Sequence, residues 1–167
     1  MIGVLDPSRP AVRRGCLRAC TKGLHEIVKR FPMASFHKET QRFAVGTVDA
    51  ALTIYDLRTA TKWRVLEGHS AAVVAASFGP TGSVLVSYSA EEGGGCGCLR
   101  SWDAGNSGFF GGLLGLEGRC LKEIKLQRVA RARTATSDVL KQCGIAWIGK
   151  RELCLSREDG SQITLKI

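Results

Sequence analysis

The stretch FHKETQRFAVGTVDAALTIYD, residues 36–56, returns in altered form as FGPTGSVLVSYSAEEGGGCGCLRSWD, residues 78–103. The two copies begin 42 residues apart, at Phe36 and Phe78, and each ends in an aromatic residue followed by Asp. A period of about 40–45 residues with this ending is typical of the four-stranded blades of WD-repeat propellers. We therefore predict an all-β fold, a partial WD-repeat β-propeller of about three blades.

The strand pattern divides the chain into a start segment, 1–31, and the blades, 32–167. Pro7 and Pro10 predict an irregular beginning, and apolar residues at helical spacing over 11–30 predict a short basic α-helix that stops before Pro32. The blades are predicted at 32–67, 68–127 and, incomplete, 140–167. Alternating apolar residues predict strands at 33–37, 43–47, 51–56, 62–66, 72–78, 84–89, 99–103, 119–126, 144–148, 153–157 and 162–167.

The third copy is weaker than the first two. We align the third copy with the second by matching Trp147 to Phe78, which also matches Ser156 to Ser87. In this alignment Lys166 occupies the position of the aromatic residue that ends the other two copies. A closed propeller needs about four to eight blades, more than 167 residues can supply. We expect the chain to belong to a longer protein, with a strand from elsewhere pairing along 162–167, because a bare edge strand invites pairing.

Blades of this type are tied by a buried hydrogen-bonded network, since a buried indole N–H needs an acceptor. In the second blade we predict that this network consists of His69, Ser87 and Trp102. The first blade has two counterparts of its members, Asp49 and Tyr55. Glu92 stands where an Asp is expected in the second blade, and Val45 replaces the Ser in the first. We expect blades that depend more on apolar packing than on this network.

Little in the sequence suggests an enzyme. No set of nucleophile, base and orienting residue is visible, and the Cys96-Gly-Cys98 pair has no second pair for a zinc site. We predict no catalysis, no cofactor, no metal and no small-molecule substrate. Seven cysteines without framework spacing, and no secretory signal or run of about 18–20 apolar residues, indicate reduced thiols and a cytoplasmic protein.

Lys and Arg total 24 against 15 Asp and Glu, and the excess lies in 9–30 and 119–133. Such stretches suit an acidic protein surface, anionic lipid or nucleic acid, or are simply solvated. A Gly-rich insertion, 104–118, precedes the second of them, and its aromatics either anchor a partner or cover the blade flank. The candidate interaction surface comprises Phe109, Phe110, Arg119, Lys122, Lys125, Arg128, Arg131 and Arg133.

Three stretches resemble the C-terminal WD-repeat region of the rabconnectin-3 beta subunit family: RFPMASFHKETQRFAVGTVDAALTIYDLRTATKWRVLEGH (30–69), NSGFFGGLLGLEGRCLKEIKL (106–126) and KQCGIAWIGKRELCLSREDGSQITLKI (141–167). The resemblance covers about 24–167 and departs from the family at the glycine insert, 93–97. It implies a cytosolic scaffold that associates with a large WD-repeat alpha subunit and with V-ATPase subunits. It further implies a role in V-ATPase assembly or regulation and vesicle acidification, peripheral to endomembrane vesicles, with ties to regulators of Rab GTPases.

An alternative function is a generic WD-repeat adaptor in a nucleic-acid-associated complex, whose basic stretches would contact phosphates. Few aromatic residues interleave those stretches, so base stacking has little support and nucleic acid is the less favoured partner.

Overall fold

The computed structural model describes residues 28, 30–90, 97–105, 118–127, 143–157 and 160–167. These residues form three antiparallel sheets, each with its strands in chain order. Sheet one contains β1 (Ala34–His37), β2 (Arg42–Gly46), β3 (Leu52–Asp56) and β4 (Thr61–Leu66). Sheet two contains β5 (Val73–Phe78), β6 (Val84–Ser89), β7 (Gly97–Asp103) and β8 (Cys120–Leu126). Sheet three contains β9 (Gly144–Trp147), β10 (Glu152–Ser156) and β11 (Gln162–Lys166).

Alternation of apolar and polar residues explains the strands. In β3, Leu52 and Ile54 are buried on one face, while Thr53 and Tyr55 point to the other. In β6 almost every residue is buried, because sheet two is covered on both faces. Each predicted strand is present, with bounds within two residues of the expected ones.

The predicted helix at 11–30 lies outside the described residues, apart from Val28 and Arg30. The Gly-rich insertions also lie largely outside them. Within the described part of the chain, no helix is long and apolar enough to cross a bilayer.

Two apolar cores join the three sheets. One lies between sheets one and two and includes Leu52, Ile54, Phe78, Leu85 and Trp102. The other lies between sheets two and three; its buried members are Ala75, Val86, Tyr88, Leu99, Leu126, Leu153 and Leu155. Sheet two is thus the middle layer, and its tight packing on both sides positions the polar network described below.

The first strands of the three sheets are neighbours. β5 lies beside β1 and β2 on one side and beside β9 on the other. The amide of Ala76 donates to the carbonyl of Pro32 at 2.8 Å, and the amide of Phe78 donates to the hydroxyl of Ser35 at 2.9 Å. Two four-stranded meanders and one of three strands, with their first strands adjacent, are consistent with part of a β-propeller.

The strand registers define which residues are equivalent between the sheets. In sheet two, Leu85 lies between Phe78 and Trp102 across the strands. In sheet three, Leu153 lies between Trp147 and Leu165 in the same way. Leu165 is therefore the counterpart of Trp102.

This register corrects the predicted alignment of the third copy. Taking Leu153 as the counterpart of Leu85 makes Leu155, not Ser156, the counterpart of Ser87. Leu165, not Lys166, takes the place of the aromatic residue. The β9–β10 connection is one residue shorter than its counterpart in sheet two, and a one-residue slip moves every side chain to the opposite face.

Candidate polar network and interaction surface

A chain of side-chain hydrogen bonds lies between sheets one and two. His69 comes from the link before β5, Ser87 and Ser89 lie on β6, and Trp102 lies on β7. Trp102 Nε1 lies 2.7 Å from the hydroxyl of Ser87, which lies 2.7 Å from Nε2 of His69. Nδ1 of His69 lies 2.8 Å from the hydroxyl of Ser89. All four residues are buried.

The chemistry of the groups gives these bonds a direction. The indole N–H is only a donor, so it donates to Ser87, and the Ser87 hydroxyl then donates to Nε2 of His69. With Nε2 accepting, Nδ1 carries the proton and donates to Ser89, whose hydroxyl points to the carbonyl of Cys98 at 3.5 Å. This tautomer uses each donor once, and it requires a neutral imidazole.

The surroundings of His69 favour the neutral form. Burial, and after it the positive charge of Arg100, lowers the pKa of His69 to about 4. The Arg100 guanidinium pairs with the carboxylate of Glu123 at 2.7 Å. His69 is therefore uncharged near neutral pH, as the hydrogen-bond pattern demands.

Gly68, immediately before His69, allows Arg100 to approach. Its φ of +142° is a conformation that side chains disfavour, and a Cβ at this position would overlap the Arg100 guanidinium. The Gly68-His69 pair thus combines a backbone requirement with a side-chain hydrogen bond.

Asp49 and Tyr55, predicted as the first-blade counterparts of this network, are not among the residues that form it in sheet two. Both belong to sheet one; Asp49 is exposed in the turn before β3, and Tyr55 is 37% exposed. The physical reason is Val45, whose aliphatic side chain replaces the hydroxyl that Ser87 provides in sheet two. No relay can form without that hydroxyl.

Sequence reasoning missed Ser89. An acidic residue was expected in the turn after β6, and Glu92, the residue at that place, lies outside the described residues. Ser89 is two positions after Ser87, so both hydroxyls point to the same face of β6. The spacing of two residues between Ser87 and Ser89 was the sequence signal that could have predicted the contact of Ser89 with His69.

Sheet one has a different polar cluster at the same interface, which the sequence did not reveal. The guanidinium carbons of Arg42 and Arg64 lie 3.5 Å and 3.7 Å from the ring centre of Trp63. Arg42 also donates to the carbonyl of Ala104, the residue after β7. Burial, together with the charge of Arg64, lowers the pKa of Arg42. The interface of sheets one and two therefore contains cation–π contacts from sheet one beside the serine–histidine relay of sheet two.

Three members of the predicted interaction surface are described. Arg119, just before β8, and Lys122 and Lys125, on it, are exposed along the outer edge strand of sheet two. Lys122 donates from Nζ to the carbonyl of Lys166 at 2.9 Å and so joins sheets two and three. The other five members of the predicted surface lie outside the described residues: Phe109, Phe110, Arg128, Arg131 and Arg133.

The edge position gives the basic residues a structural role as well. Lysines on an edge strand hinder unwanted pairing with other strands. The exposed Leu121 lies beside Lys122 on the same strand. The described part of the surface is therefore a basic strip that also contains the apolar Leu121 and the acidic Glu123.

No group of three His, Cys, Asp or Glu residues able to hold a metal occurs among the described residues. The described cysteines, Cys98, Cys120, Cys143 and Cys154, are free thiols. Burial raises the pKa of the Cys98 thiol, which disfavours the reactive thiolate. No family model matches the chain.

Proposed function

We propose that the chain is part of a WD-repeat β-propeller that acts as a non-enzymatic scaffold in V-ATPase assembly or regulation, and so in vesicle acidification. The observation that carries the fold part of this proposal is the relay from Trp102 through Ser87 to His69. These are the residue types expected at the corresponding places of a WD repeat. The V-ATPase part rests on the resemblance of residues 24–167 to the rabconnectin-3 beta family.

The proposed binding surface is the basic strip of Arg119, Lys122 and Lys125. Rigid sheets position such a strip precisely, and exposed basic residues suit an acidic protein surface. Lys122 is partly engaged with sheet three, so Arg119 and Lys125 are the residues free to meet a partner. The proposed partners are V-ATPase subunits and a large WD-repeat alpha subunit, in the cytoplasm at vesicle surfaces.

The test is capture of purified V-ATPase subunits by the full chain. The variant is Arg119→Glu with Lys125→Glu, and the control is Lys38→Glu with Lys62→Glu, which makes the same charge change at exposed sites of sheet one. We expect wild type and control to capture the subunits and the first variant to lose at least tenfold in affinity, with unchanged melting temperatures.

Two outcomes would count against the proposal in different ways. Equal loss in both variants would mean that net charge, not the strip, determines binding. Absence of capture by the wild-type chain would overturn the V-ATPase assignment itself.

The same proteins address the nucleic-acid alternative. If phosphates were the target, wild type would bind a random duplex with an affinity that falls steeply as salt rises. We expect no such binding, since Glu123 lies among the basic residues and pairs with Arg100.

A further inference from the structure

The turns between the strands lie along two opposite rims of the three sheets. Nε2 of His37, at the end of β1, lies 3.4 Å from the carbonyl oxygen of Pro80, just after β5. A Cβ at Gly79 would lie 3.4 Å from the ring of Trp147, at the end of β9. β1, β5 and β9 therefore run in the same direction. Because the strands of each meander alternate in direction, one rim carries the β7–β8 connection and the turns 38–41, 57–60, 79–83 and 148–151.

The exposed charges of the turns divide unequally between these rims in the described part of the chain. The first rim has one exposed acid, Glu39, and five exposed bases: Lys38, Arg58, Arg119, Lys150 and Arg151. The described connections of the opposite rim have two exposed acids, Asp49 and Glu67, and one exposed base, Arg30, precedes β1 there. Five bases less one acid give +4 on the first rim, and one base less two acids gives −1 on the second. The first rim therefore suits an anionic partner.

Ion pairs within the described ranges leave most of this positive charge unpaired. Arg58 pairs with Asp56 at 2.9 Å, and Glu39 lies 3.3 Å from Nε2 of His37. The other four bases of the first rim have no ion pair among the described residues. Two of those four are consecutive in the β9–β10 turn, so the unpaired charge is concentrated there.

The β9–β10 turn adds an apolar side chain to this charge. Ile148 is 62% exposed, and the exposed Lys150 and Arg151 follow it after Gly149. The amides of Ile148 and Gly149 donate to the carbonyl of Glu152 at 3.0 Å and 3.1 Å, which holds the turn in one shape. Nothing lies within 4 Å of a Cβ at Gly149, so the turn projects away from the sheets. An apolar side chain beside two bases is the combination that binds the interface of an anionic bilayer.

We propose that this rim lies on an anionic lipid surface, with the side chain of Ile148 inserted among the headgroups. We call the residues that make the contact the basic rim: Lys38, Ile148, Lys150 and Arg151. Lys38 belongs to sheet one and Lys150 to sheet three, roughly 20 Å apart for sheets stacked about 10 Å apart, and the uncharged turn 79–83 lies between them. A plane of headgroups reaches bases spread in this way, whereas one acidic loop of a protein would meet only part of them.

The lipid contact goes beyond the protein partners proposed above. Its test contains no V-ATPase subunit, so the two proposals can fail separately. Each Lys or Arg near an anionic membrane strengthens binding roughly fivefold, and salt weakens this attraction.

The experiment is co-sedimentation of the full chain with vesicles of phosphatidylcholine alone and with vesicles that also contain about 30% phosphatidylserine. The charge variant is Lys150→Glu with Arg151→Glu, and the control, Arg30→Glu with Lys125→Glu, makes the same charge change away from the basic rim. We expect wild type and control to bind only the anionic vesicles, with affinities within about threefold of each other, and the charge variant to lose at least about 25-fold. Ile148→Ser should lose roughly tenfold and keep the salt dependence, with unchanged circular-dichroism spectra throughout.

Four results would overturn the proposal or part of it. A wild-type chain that does not sediment with the anionic vesicles has no such surface. Equal losses in the charge variant and the control would mean that net charge determines binding. An unchanged affinity of Ile148→Ser would exclude insertion of that side chain. Polyglutamate that binds the chain more tightly than the vesicles do would assign the basic rim to an acidic protein instead.

Discussion

The hydroxyl of Ser89 lies 2.8 Å from Nδ1 of His69, on the side of the ring opposite Ser87. The two serines are alternate residues of one strand, and they hold the imidazole at both nitrogens. The ring is thereby fixed in one tautomer and one orientation, and Trp102 is fixed with it.

Replacing Ser87 with Ala should be costly, because it removes the partner of both Trp102 Nε1 and His69 Nε2. We expect the free energy of unfolding to fall by about 2–3 kcal/mol. Ser89→Ala, which leaves one nitrogen without its partner, should lower it by about 1 kcal/mol. Urea denaturation measures both, and Ser83→Ala, at an exposed hydroxyl, is the control. Equal effects at 83 and 87 would contradict the relay.

Stability should depend on pH through His69. Its pKa is lowered to about 4 from an ordinary value of 6.5, so the unfolded chain binds a proton more readily between these values. The contribution is complete above pH 6.5 and is lost as the pH falls toward 4. We expect a decrease on the order of 3 kcal/mol over that window.

The imidazole resonances of His69 in an NMR titration give the direct measurement. We expect their midpoint near pH 4, and we expect Arg100→Gln to raise it, because the Arg100 charge is the second cause of the shift. A midpoint near 6.5 in the wild-type chain would show that the ring is solvated and charged.

The corrected register of sheet three leads to a paired prediction. Leu155→Ala should lower the free energy of unfolding by about 2–4 kcal/mol, because it opens a cavity under sheet two. Ser156→Ala, one residue further and on the opposite face, should change it by less than about 0.5 kcal/mol. Thermal melts of both variants measure these changes. A larger loss of stability in Ser156→Ala than in Leu155→Ala would support the sequence-based alignment instead.

Gly68 and Gly149 offer a matched pair of glycines. At 68 a methyl group meets both a φ of +142° and the Arg100 guanidinium, whereas at 149 nothing lies within 4 Å of a Cβ. We expect Gly68→Ala to lower the free energy of unfolding by at least about 2 kcal/mol and Gly149→Ala to leave it nearly unchanged. A mild effect at 68 would mean that the link before β5 can move away from Arg100.

The strands were predictable because alternation and turn residues are local signals. The register of the third sheet was not predictable, because it depends on the length of the β9–β10 turn. A difference of one residue in that turn moves each side chain of the strand to the opposite face of the sheet. Lys166 and Ser156 were assigned to the wrong face for this reason, although the strands that carry them were placed correctly.

The polar network was predictable only in part. The sequence predicted His69, Ser87 and Trp102 from the spacing of these residues in WD repeats. It did not predict Ser89, whose hydroxyl is the partner of His69 Nδ1, because an acidic residue was expected a few positions later. The contact of Arg42 with Trp63 joins β2 to β4, two strands that are not adjacent in the sheet. Local patterns do not encode such contacts, and only the folded arrangement brings them together.

Each sheet contains one tryptophan: Trp63 on β4, Trp102 on β7 and Trp147 on β9. The three indoles have different neighbours, since Trp63 contacts guanidinium groups, Trp102 is hydrogen-bonded and buried, and Trp147 packs near Gly79. The protein thus has one native fluorophore in every layer. Variants that keep only one tryptophan would report separately on each sheet, and coincident or separate fluorescence transitions would show whether the three layers melt as one unit.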